Sequence, residues 1–357
     1  MRNYFLILLP ILFFSTCASG DNDSNPITVE SYFPPNGSDV WETKTPESLS
    51  WNETQMQPLL DYLELKNSKS FIVLVDGKIV MEHYFNGHTK SSPWYWASAG
   101  KTLTATMTGI AQQEGFININ DKVSDYLGTG WTSIPLEKEN LITNKSLLLM
   151  SSGLNDALGD GVSKENLQYV ADAGTRWAYH NVYVKLQDVI EAATGTTWQN
   201  YFNSRLRDKI GMTGAWIASG DSGDLNVYWS TTRSMARFGL MVLNNGKWKS
   251  ENIVNENYLI SATTTSQAIN ESYGYLWWLN GKSSYHLPQT QFEFTGSIIP
   301  TGPSDMIMAL GKNDQKIYVI PSKKMIVIRM GEPADDVNAA LSTFDSELWI
   351  KINAVID

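Results

Sequence analysis

The pattern of apolar and polar positions divides the chain into three parts. The first contains a helix and a hairpin, and the second is mostly helical. Residues 53–65 have apolar side chains at helical spacing. Residues 71–75 and 78–85 are β-rich runs that meet at Asp76-Gly77, a dipeptide typical of a two-residue hairpin turn. Residues 98–279 are mostly helical in pattern. The chain is therefore predicted to open with a helix and a hairpin and to continue with a helical region.

The third part returns to strands near the C-terminus, at residues 306–310, 316–320 and 325–330, and a helical pattern over 337–355 follows. These patterns predict an α+β fold, in which both chain ends build one antiparallel sheet flanked by the terminal helices. The middle of the chain forms an inserted, mostly helical lobe. The predicted domain spans residues 41–357, with an α/β lobe at 41–97 and 290–357 and a helical lobe at 98–289.

The N-terminal 40 residues are expected to lie outside this domain. Arg2, the apolar stretch 4–14 and the small residues after it are typical of a signal peptide over residues 1–19. Cys17, the sole cysteine, is placed where bacterial lipoprotein signals carry an acylated cysteine, although residues 14–16 depart from the usual pattern. A lipid anchor on Cys17 and plain secretion after cleavage remain the alternatives; both predict a periplasmic or cell-envelope protein. Residues 20–40 predict a flexible tether.

Charge and residue spacing exclude several classes of function. A net charge of −10 and a pI near 5.0 argue against nucleic acid, because a phosphate-binding surface needs clustered Lys and Arg. The four histidines show no metal-binding spacing. We therefore expect neither a metal nor a cofactor, and any attachment to a membrane only through the lipid on Cys17.

Ser98-Ala99-Gly100-Lys101 places a hydroxyl and an ammonium one turn apart at the start of a predicted helix. Backbone N–H groups and the helix dipole favour negative charge at that end. Such an arrangement is typical of an activated serine nucleophile. A helix-capping serine followed by a solvated lysine would give the same local sequence, so these four residues alone leave both interpretations open.

A second element, Tyr179-His180-Asn181, supplies a phenol and an amide after a loop-like run. With this element, the chain resembles the serine β-lactamase-related family, which includes class C β-lactamases, D-alanyl-D-alanine peptidases, family VIII esterases and 6-aminohexanoate-dimer hydrolases. Its S-x-x-K and Y-x-N motifs match here in the right order. Further matching stretches lie at residues 76–80, 148–153, 236–240 and 273–278. The resemblance covers about residues 50–332 and implies a β-lactamase/transpeptidase-like fold.

The resemblance implies a role for each matched residue. Ser98 would attack an ester or amide carbonyl, Lys101 would help to remove the hydroxyl proton, and Tyr179 would relay protons to the leaving group and from the deacylating water. Either Lys101 or Tyr179 could be the first base. Asn181 would bind substrate or orient Lys101, unless it caps the helix that follows.

The third family element, Lys-Thr-Gly or His-x-Gly, is replaced by Ala309-Leu310-Gly311. Gly311 is expected to let a substrate approach the strand backbone. Lys312 is expected to bind substrate, either through its N–H as an oxyanion donor with that of Ser98 or through its side-chain cation. The missing motif lysine disfavours substrates with a carboxylate beside the scissile bond.

The sequence thus predicts a serine hydrolase that cleaves a small ester or amide through an acyl-Ser98 intermediate. A β-lactamase or D-Ala-D-Ala carboxypeptidase is the first alternative. A catalytically idle protein that binds cell-wall peptides or a partner is the second. Five tryptophans could wall an aromatic cleft or belong to the core: Trp94, Trp96, Trp177, Trp277 and Trp278.

Overall fold

The computed structural model of the protein describes residues 31–220, 223–335 and 341–357, so the predicted signal peptide and Cys17 lie outside the described residues. The strands are β1 Ser68–Val75, β2 Lys78–Tyr84, β3 Trp94–Tyr95, β4 Ala215–Ser219, β5 Leu225–Ser230, β6 Lys247–Trp248, β7 Glu251–Asn252, β8 Trp278–Leu279, β9 Ser284–His286, β10 Glu293–Thr295, β11 Ile307–Gly311, β12 Gln315–Ile320 and β13 Met325–Gly331. The α-helices are α1 Met56–Leu65, α2 Lys101–Gln113, α3 Ser124–Leu127, α4 Leu136–Glu139, α5 Asn144–Leu148, α6 Lys185–Thr194, α7 Trp198–Phe202, α8 Thr232–Leu243, α9 Glu256–Ala262 and α10 Thr343–Ile356.

The main sheet has the strand order β2-β1-β13-β12-β11-β8, with every neighbouring pair antiparallel. Strands from the two ends of the chain meet where β1 pairs with β13. The turn between β1 and β2 consists of Asp76 and Gly77, whose φ angles of 50° and 80° are those of a two-residue hairpin turn. The predicted α+β fold, with an antiparallel sheet built from both chain ends, is confirmed.

The two faces of this sheet are covered by different helices. On β12, Ile317 faces α8, where a Cβ added at Gly239 would lie 3.3 Å from its Cγ2. The next residue, Tyr318, points to the opposite face, because side chains alternate along a strand, and its ring meets that of Trp349 of α10 at 5.5 Å. The terminal helix therefore covers one face, and α8 from the middle of the chain covers the other.

The middle of the chain contains more strand than its pattern predicts. β3, β5 and β4 form a separate three-stranded sheet, and the short strand β8 joins the main sheet although it falls within the predicted helical lobe. The β4–β5 hairpin was missed because both of its faces carry apolar side chains. Trp216 and Tyr228 pack together on one face, whereas Ile217 and Val227 pair on the other. Without polar alternation, strand periodicity is hidden.

The predicted tether is wrong at its C-terminal end. Tyr32 donates its backbone N–H to Asp76 O at 2.9 Å, and Arg237 donates to the carbonyl oxygens of Pro34 and Pro35. A buried guanidinium needs such acceptors, and the chain before residue 40 supplies them. Residues 31–36 thus belong to the folded domain. Over the described ranges, no helix is long and apolar enough to cross a membrane.

Candidate active site

Ser98 lies in a 3₁₀ turn, Ala97–Gly100, that leads directly into α2. The residues at the N-cap positions of the turn and of α2 are Trp96 and Gly100, and neither makes a side-chain cap. The Ser98 hydroxyl instead lies 3.0 Å from Nζ of Lys101, the first residue of α2. The arrangement is that of a paired serine and lysine, and not of a helix-capping serine.

Strand β5 of the three-stranded sheet holds this turn in place. The backbone N–H of Trp96 donates to Tyr228 O at 2.8 Å, and its indole N–H donates to Ser230 Oγ at 2.6 Å. Trp96 is fully buried against Tyr228 and Phe238. Two residues before Ser98, the backbone is therefore fixed by main-chain and side-chain bonds to β5.

Lys101 is only 3% exposed. Burial lowers the pKa of its ammonium from 10.5 to about 7, because the charged form loses its hydration, while the negative charge of Asp160 acts in the opposite direction. Nζ lies 4.9 Å and 4.5 Å from the ring centroids of Tyr179 and Tyr183. A substantial fraction of Lys101 is thus neutral near pH 7, and a neutral amine beside a hydroxyl can accept its proton.

Tyr179 lines the same cavity as Ser98. Burial raises the pKa of its phenol to about 12, while the Ser98 hydroxyl and the Trp278 indole act in the opposite direction. The ring stacks on Trp278 at 5.8 Å and packs against Trp177 at 6.2 Å. Tyr179 is therefore a rigid, protonated hydrogen-bond donor at neutral pH.

Asn181 connects the lysine to a loop aspartate. Its Oδ1 lies 3.3 Å from Nζ of Lys101, and its Nδ2 donates to both Oδ1 and the backbone oxygen of Asp160 at 3.2 Å. The amide is occupied by these contacts and does not cap the turn that begins at Asn181. Of the predicted alternatives, the geometry favours orientation of Lys101.

Gly311 ends β11 directly against the turn that carries Ser98. A Cβ on Gly311 would lie 2.4 Å from Trp96 O and 3.0 Å from Ala99 N, distances that no side chain tolerates. Gly311 thus gives room to the backbone of residues 96–99, and not to a substrate as its sequence context predicts. The following residue, Lys312, lines the same cavity as Ser98. Its side chain makes no hydrogen bond or ion pair with any residue that the structure describes.

The turn after Lys312 rests on a buried polar network that the sequence did not reveal. Asn313 and Asp314 both have positive φ, 60° and 58°, and their carbonyl oxygens accept from Nη1 of Arg329 at 2.9 and 3.1 Å. Lys316 pairs with Asp314 at 3.1 Å and with Asp345 at 2.8 Å. Because buried charges are costly unless paired, this network fixes the turn and, with it, the backbone at Lys312.

Ser98, Lys101, Tyr179, Asn181 and Lys312 line one cavity of about 730 Å³. Gly311 lies beside it and does not line it. Three charged residues of the cavity were missed in the sequence: Asp156, Asp160 and Arg176. Arg176 Nη2 pairs with Asp156 Oδ1 at 2.7 Å. Only their place in the sequence could have indicated a role at the site, since all three lie between the 148–153 stretch and Tyr179.

His180 also lines the cavity, although it lies between two site residues. It is 5% exposed, and neither ring nitrogen has a partner among the described residues. Burial lowers the pKa of its imidazole to about 4, so the ring is neutral.

The five tryptophans considered for the cleft do not line the cavity. Trp96, Trp177, Trp277 and Trp278 are buried in the core. Trp177 and Trp278 instead support Tyr179 from behind.

The family model for β-lactamases matches residues 67–328, which is more than half of the chain. The chain belongs to the β-lactamase family. This confirms the resemblance stated from the motifs. Members of this family are generally serine hydrolases, among them esterases, amidases and penicillin-binding proteins, although some members are inactive.

Solved structures show the same fold at low sequence identity. A Bacillus anthracis protein provisionally named a 6-aminohexanoate-dimer hydrolase is 19% identical, with a TM-score of 0.67 over 91% of this chain and 89% of its own. A provisionally named β-lactamase of Bacteroides dorei is 16% identical, with a TM-score of 0.67 over 86% of this chain and 99% of its own. A class C β-lactamase mutant is 14% identical, with a TM-score of 0.62 over 86% and 97%. No curated protein matches the chain.

Within the described ranges, no group of three or more histidine, cysteine, aspartate or glutamate side chains is placed to hold a metal ion. The polar side chains that meet in the cavity are those of nucleophilic acyl transfer: a hydroxyl, an amine of lowered pKa and a protonated phenol.

Proposed function

We propose that the protein is a serine hydrolase that cleaves a small ester or amide through an acyl-Ser98 intermediate. The observation that carries the proposal is the 3.0 Å distance between Ser98 Oγ and Nζ of the buried Lys101. Serine is a weak nucleophile until a neighbouring base removes its proton. Lys101 meets that requirement because burial lowers the pKa of its amine to about 7.

In acylation, neutral Lys101 takes the proton of Ser98 as Oγ forms its bond to the substrate carbonyl carbon. The bond to the leaving group then breaks, and the leaving oxygen or nitrogen receives a proton from Tyr179. The protonated Lys101 then returns a proton to Tyr179, which restores the neutral amine and the phenol. In deacylation, water attacks the acyl carbonyl carbon and gives up a proton to Tyr179 and Lys101. The bond between this carbon and Ser98 Oγ then breaks, and Oγ receives a proton from the same two residues.

We propose Lys101, and not Tyr179, as the first base, and their opposite pKa shifts support this choice. Burial raises the pKa of Tyr179 to about 12, so its anion is rare at neutral pH, whereas the amine of Lys101 is available. The proposed oxyanion donors are the backbone N–H groups of Ser98 and Lys312, since β11 ends against the Ser98 turn at Gly311.

Hydrolysis of a β-lactam or a D-Ala-D-Ala peptide is the second candidate. The observation that favours it is Lys312, which lines the cavity, has no side-chain partner among the described residues and could bind a substrate carboxylate. Against it stand Asp156 and Asp160 on the same cavity and the absence of the motif lysine from β11. We therefore place esters and amides first.

Covalent labelling tests the proposal. The protein is incubated with a fluorophosphonate or a penicillin, and the adduct is located by peptide mass spectrometry. We expect the adduct on Ser98, its loss in Ser98→Ala, and its retention in Ser261→Ala, which removes an exposed serine of α9. An adduct at another residue, or none, would contradict the acyl-serine mechanism.

A hydrolysis screen then separates the candidates. Wild type and Ser98→Ala are compared on p-nitrophenyl esters, nitrocefin and short D-amino-acid amides. Turnover of esters above that of nitrocefin supports the first candidate, and the reverse supports the second. Equal rates for wild type and Ser98→Ala on every substrate would indicate a catalytically idle, peptide- or partner-binding protein.

A further inference from the structure

The catalytic cavity has two unlike walls. One wall carries the charged side chains Asp156, Asp160 and Arg176 from the loop before Tyr179. The other wall is formed by the hairpin β4–β5, whose residues Leu225 and Val227 line the cavity. A substrate that fills this cavity thus meets charge on one side and hydrocarbon on the other.

The strand register shows how far the apolar wall extends. Ser219 is paired with Leu225, and Ile217 is paired with Val227. Directly paired residues point to the same face of a sheet, and side chains alternate along each strand. Because Ser219, Leu225 and Val227 line the cavity, Ile217 lies on the same face and continues the wall outwards.

Ile217 is 50% exposed, although the hairpin has a packed face available on its other side. There, the rings of Trp216 and Tyr228 meet at 5.2 Å. Asn226 also borders the cavity, but its amide is held by Gln187 at 2.9 Å. The exposed apolar surface is therefore concentrated on the face that borders the cavity, where exposed hydrocarbon commonly marks a binding surface.

This face begins beside the nucleophile. The backbone N–H of Trp96, two residues before Ser98, donates to Tyr228 O, the residue after Val227. From Val227 the face reaches about 7 Å along β5 to Leu225 and about 5 Å across to Ile217. The paired residues of the face carry no charge, since they are Ala215 with Trp229, Ile217 with Val227, and Ser219 with Leu225.

We propose that Ile217, Leu225 and Val227 form an acyl-chain strip that binds an unbranched aliphatic chain next to the scissile carbonyl. The substrate class is an ester or amide with a chain of several carbons, whose polar part faces Asp156, Asp160 and Arg176. The inference rests on the proposed hydrolase function. The strip is continuous with the cavity that contains Ser98, and its paired residues carry no charge.

The test is a chain-length series of p-nitrophenyl esters, from acetate through butanoate and hexanoate to octanoate, and an amide series of the same acyl groups. We expect kcat/KM of wild type to rise with chain length by about twofold to threefold per methylene, below the roughly fourfold that full burial of a methylene gives. In Ile217→Thr and Val227→Thr, which keep a β-branched side chain on the strand, the ratio of octanoate to acetate kcat/KM falls at least fivefold.

Val227→Phe provides a second variant that narrows the strip instead of making it polar. We expect it to shift the preference towards acetate and butanoate. Ile260→Thr removes an isoleucine of α9 that is 45% exposed and away from the cavity, and it should keep the chain-length dependence of wild type. Melting temperatures establish that each variant is folded.

The outcomes separate the two proposals. If Ser98 is acylated but kcat/KM is independent of chain length in wild type, the strip is wrong and the hydrolase function stands. Chain-length dependence that all three strip variants retain also overturns the strip. If no ester or amide is turned over and no adduct forms on Ser98, the hydrolase function fails first.

Discussion

The carboxylate of Asp160 is joined to the amine of Lys101 through one side chain. Asn181 donates to Asp160 at 3.2 Å and lies 3.3 Å from Nζ of Lys101. The exposed loop that borders the cavity is thereby coupled to the buried base. Asp160 favours the charged form of Lys101, whereas burial disfavours it more strongly.

Removal of the charge of Asp160 should make Lys101 a base at lower pH. The amine must be neutral to accept a proton, so kcat/KM of wild type is expected to rise with pH through about 7 and then level off. Asp160→Asn retains an oxygen that can accept from Asn181 but removes the negative charge that raises the pKa of Lys101. We expect the pH of half-maximal kcat/KM to fall, measured with an activated ester.

The matched control is Asp188→Asn on α6, whose carboxylate pairs with Lys185. It should leave the pH profile at the wild-type position. A profile of Asp160→Asn that coincides with wild type at low ionic strength, where charge effects are least screened, would show that the Asp160–Asn181–Lys101 chain has no electrostatic effect on the base.

Lys101 is expected to reduce the stability of the folded protein. Its pKa of about 7 in the folded state lies below the ordinary value of 10.5, so the unfolded chain binds more protons between those two pH values. Wild-type stability should therefore rise with pH from about 7 to 10.5. Lys101→Met, which removes the buried amine, should raise the melting temperature by at least about 3 °C at pH 6.5.

This gain should shrink as the pH approaches 10, because the lysine of wild type is then neutral in the folded state and no longer carries a buried charge. Lys138→Met is the control, since it removes a partly exposed lysine that pairs with Asp172 and should not stabilise the protein at any pH. A Lys101→Met variant that is no more stable than wild type at pH 6.5, or equally stabilised at pH 6.5 and 10, would contradict the lowered pKa.

Much of the fold follows from local sequence. The 71–75 and 78–85 runs predict β1 and β2 because Asp76-Gly77 permits only a narrow choice of turn. Gly195, a residue type common at helix ends, adopts φ 66° at the C-cap of α6. The β4–β5 hairpin escaped prediction because its apolar residues serve both the core and the cavity. Local periodicity cannot distinguish a strand with two apolar faces from a buried helix.

The site was predicted as far as its motifs extend. The sequence allowed prediction of Ser98, Lys101, Tyr179 and Asn181 because each belongs to a short local motif. Asp160, by contrast, contacts Asn181 from a loop position 21 residues earlier in the chain. Nothing in the sequence of that loop indicates which of its aspartates turns towards the site. The need for a glycine at position 311 could not be predicted either, because a Cβ there would clash with backbone atoms of residues 96 and 99, which are far away in the sequence.

Tyr179→Phe should impair catalysis without loosening the site. The phenyl ring keeps its packing on Trp278 and Trp177, and only the hydroxyl, the proposed proton donor to the leaving group, is lost. We expect kcat/KM for alkyl esters and amides to fall by roughly 10²–10⁴-fold, the size of a general-acid contribution. For p-nitrophenyl esters, whose leaving group needs no proton, the loss should be at least tenfold smaller.

The comparison of the two leaving groups provides the internal control, since both substrates share Ser98 and Lys101. The melting temperature of Tyr179→Phe should lie within about 3 °C of wild type, which corresponds to the loss of one hydrogen bond. Equal losses for good and poor leaving groups would mean that the hydroxyl acts on Ser98 alone and that Tyr179 is not the general acid.

Gly311→Ala should separate β11 from the nucleophile turn. Its Cβ would lie 2.4 Å from Trp96 O, a backbone atom of a residue whose N–H is bonded to β5, so the strand must move away from Ser98. Overpacking of this kind costs about 1–3 kcal/mol, and we expect a lower melting temperature. Because a displacement of about 1 Å at an active site can cost 10²-fold in rate, kcat/KM should fall about that much.

Gly100→Ala makes the same change in the Ser98 turn, where a Cβ meets nothing closer than 3.8 Å, and should keep near-wild-type stability and activity. If Gly311→Ala loses stability but retains wild-type kcat/KM, the position of β11 does not determine the geometry of acyl transfer.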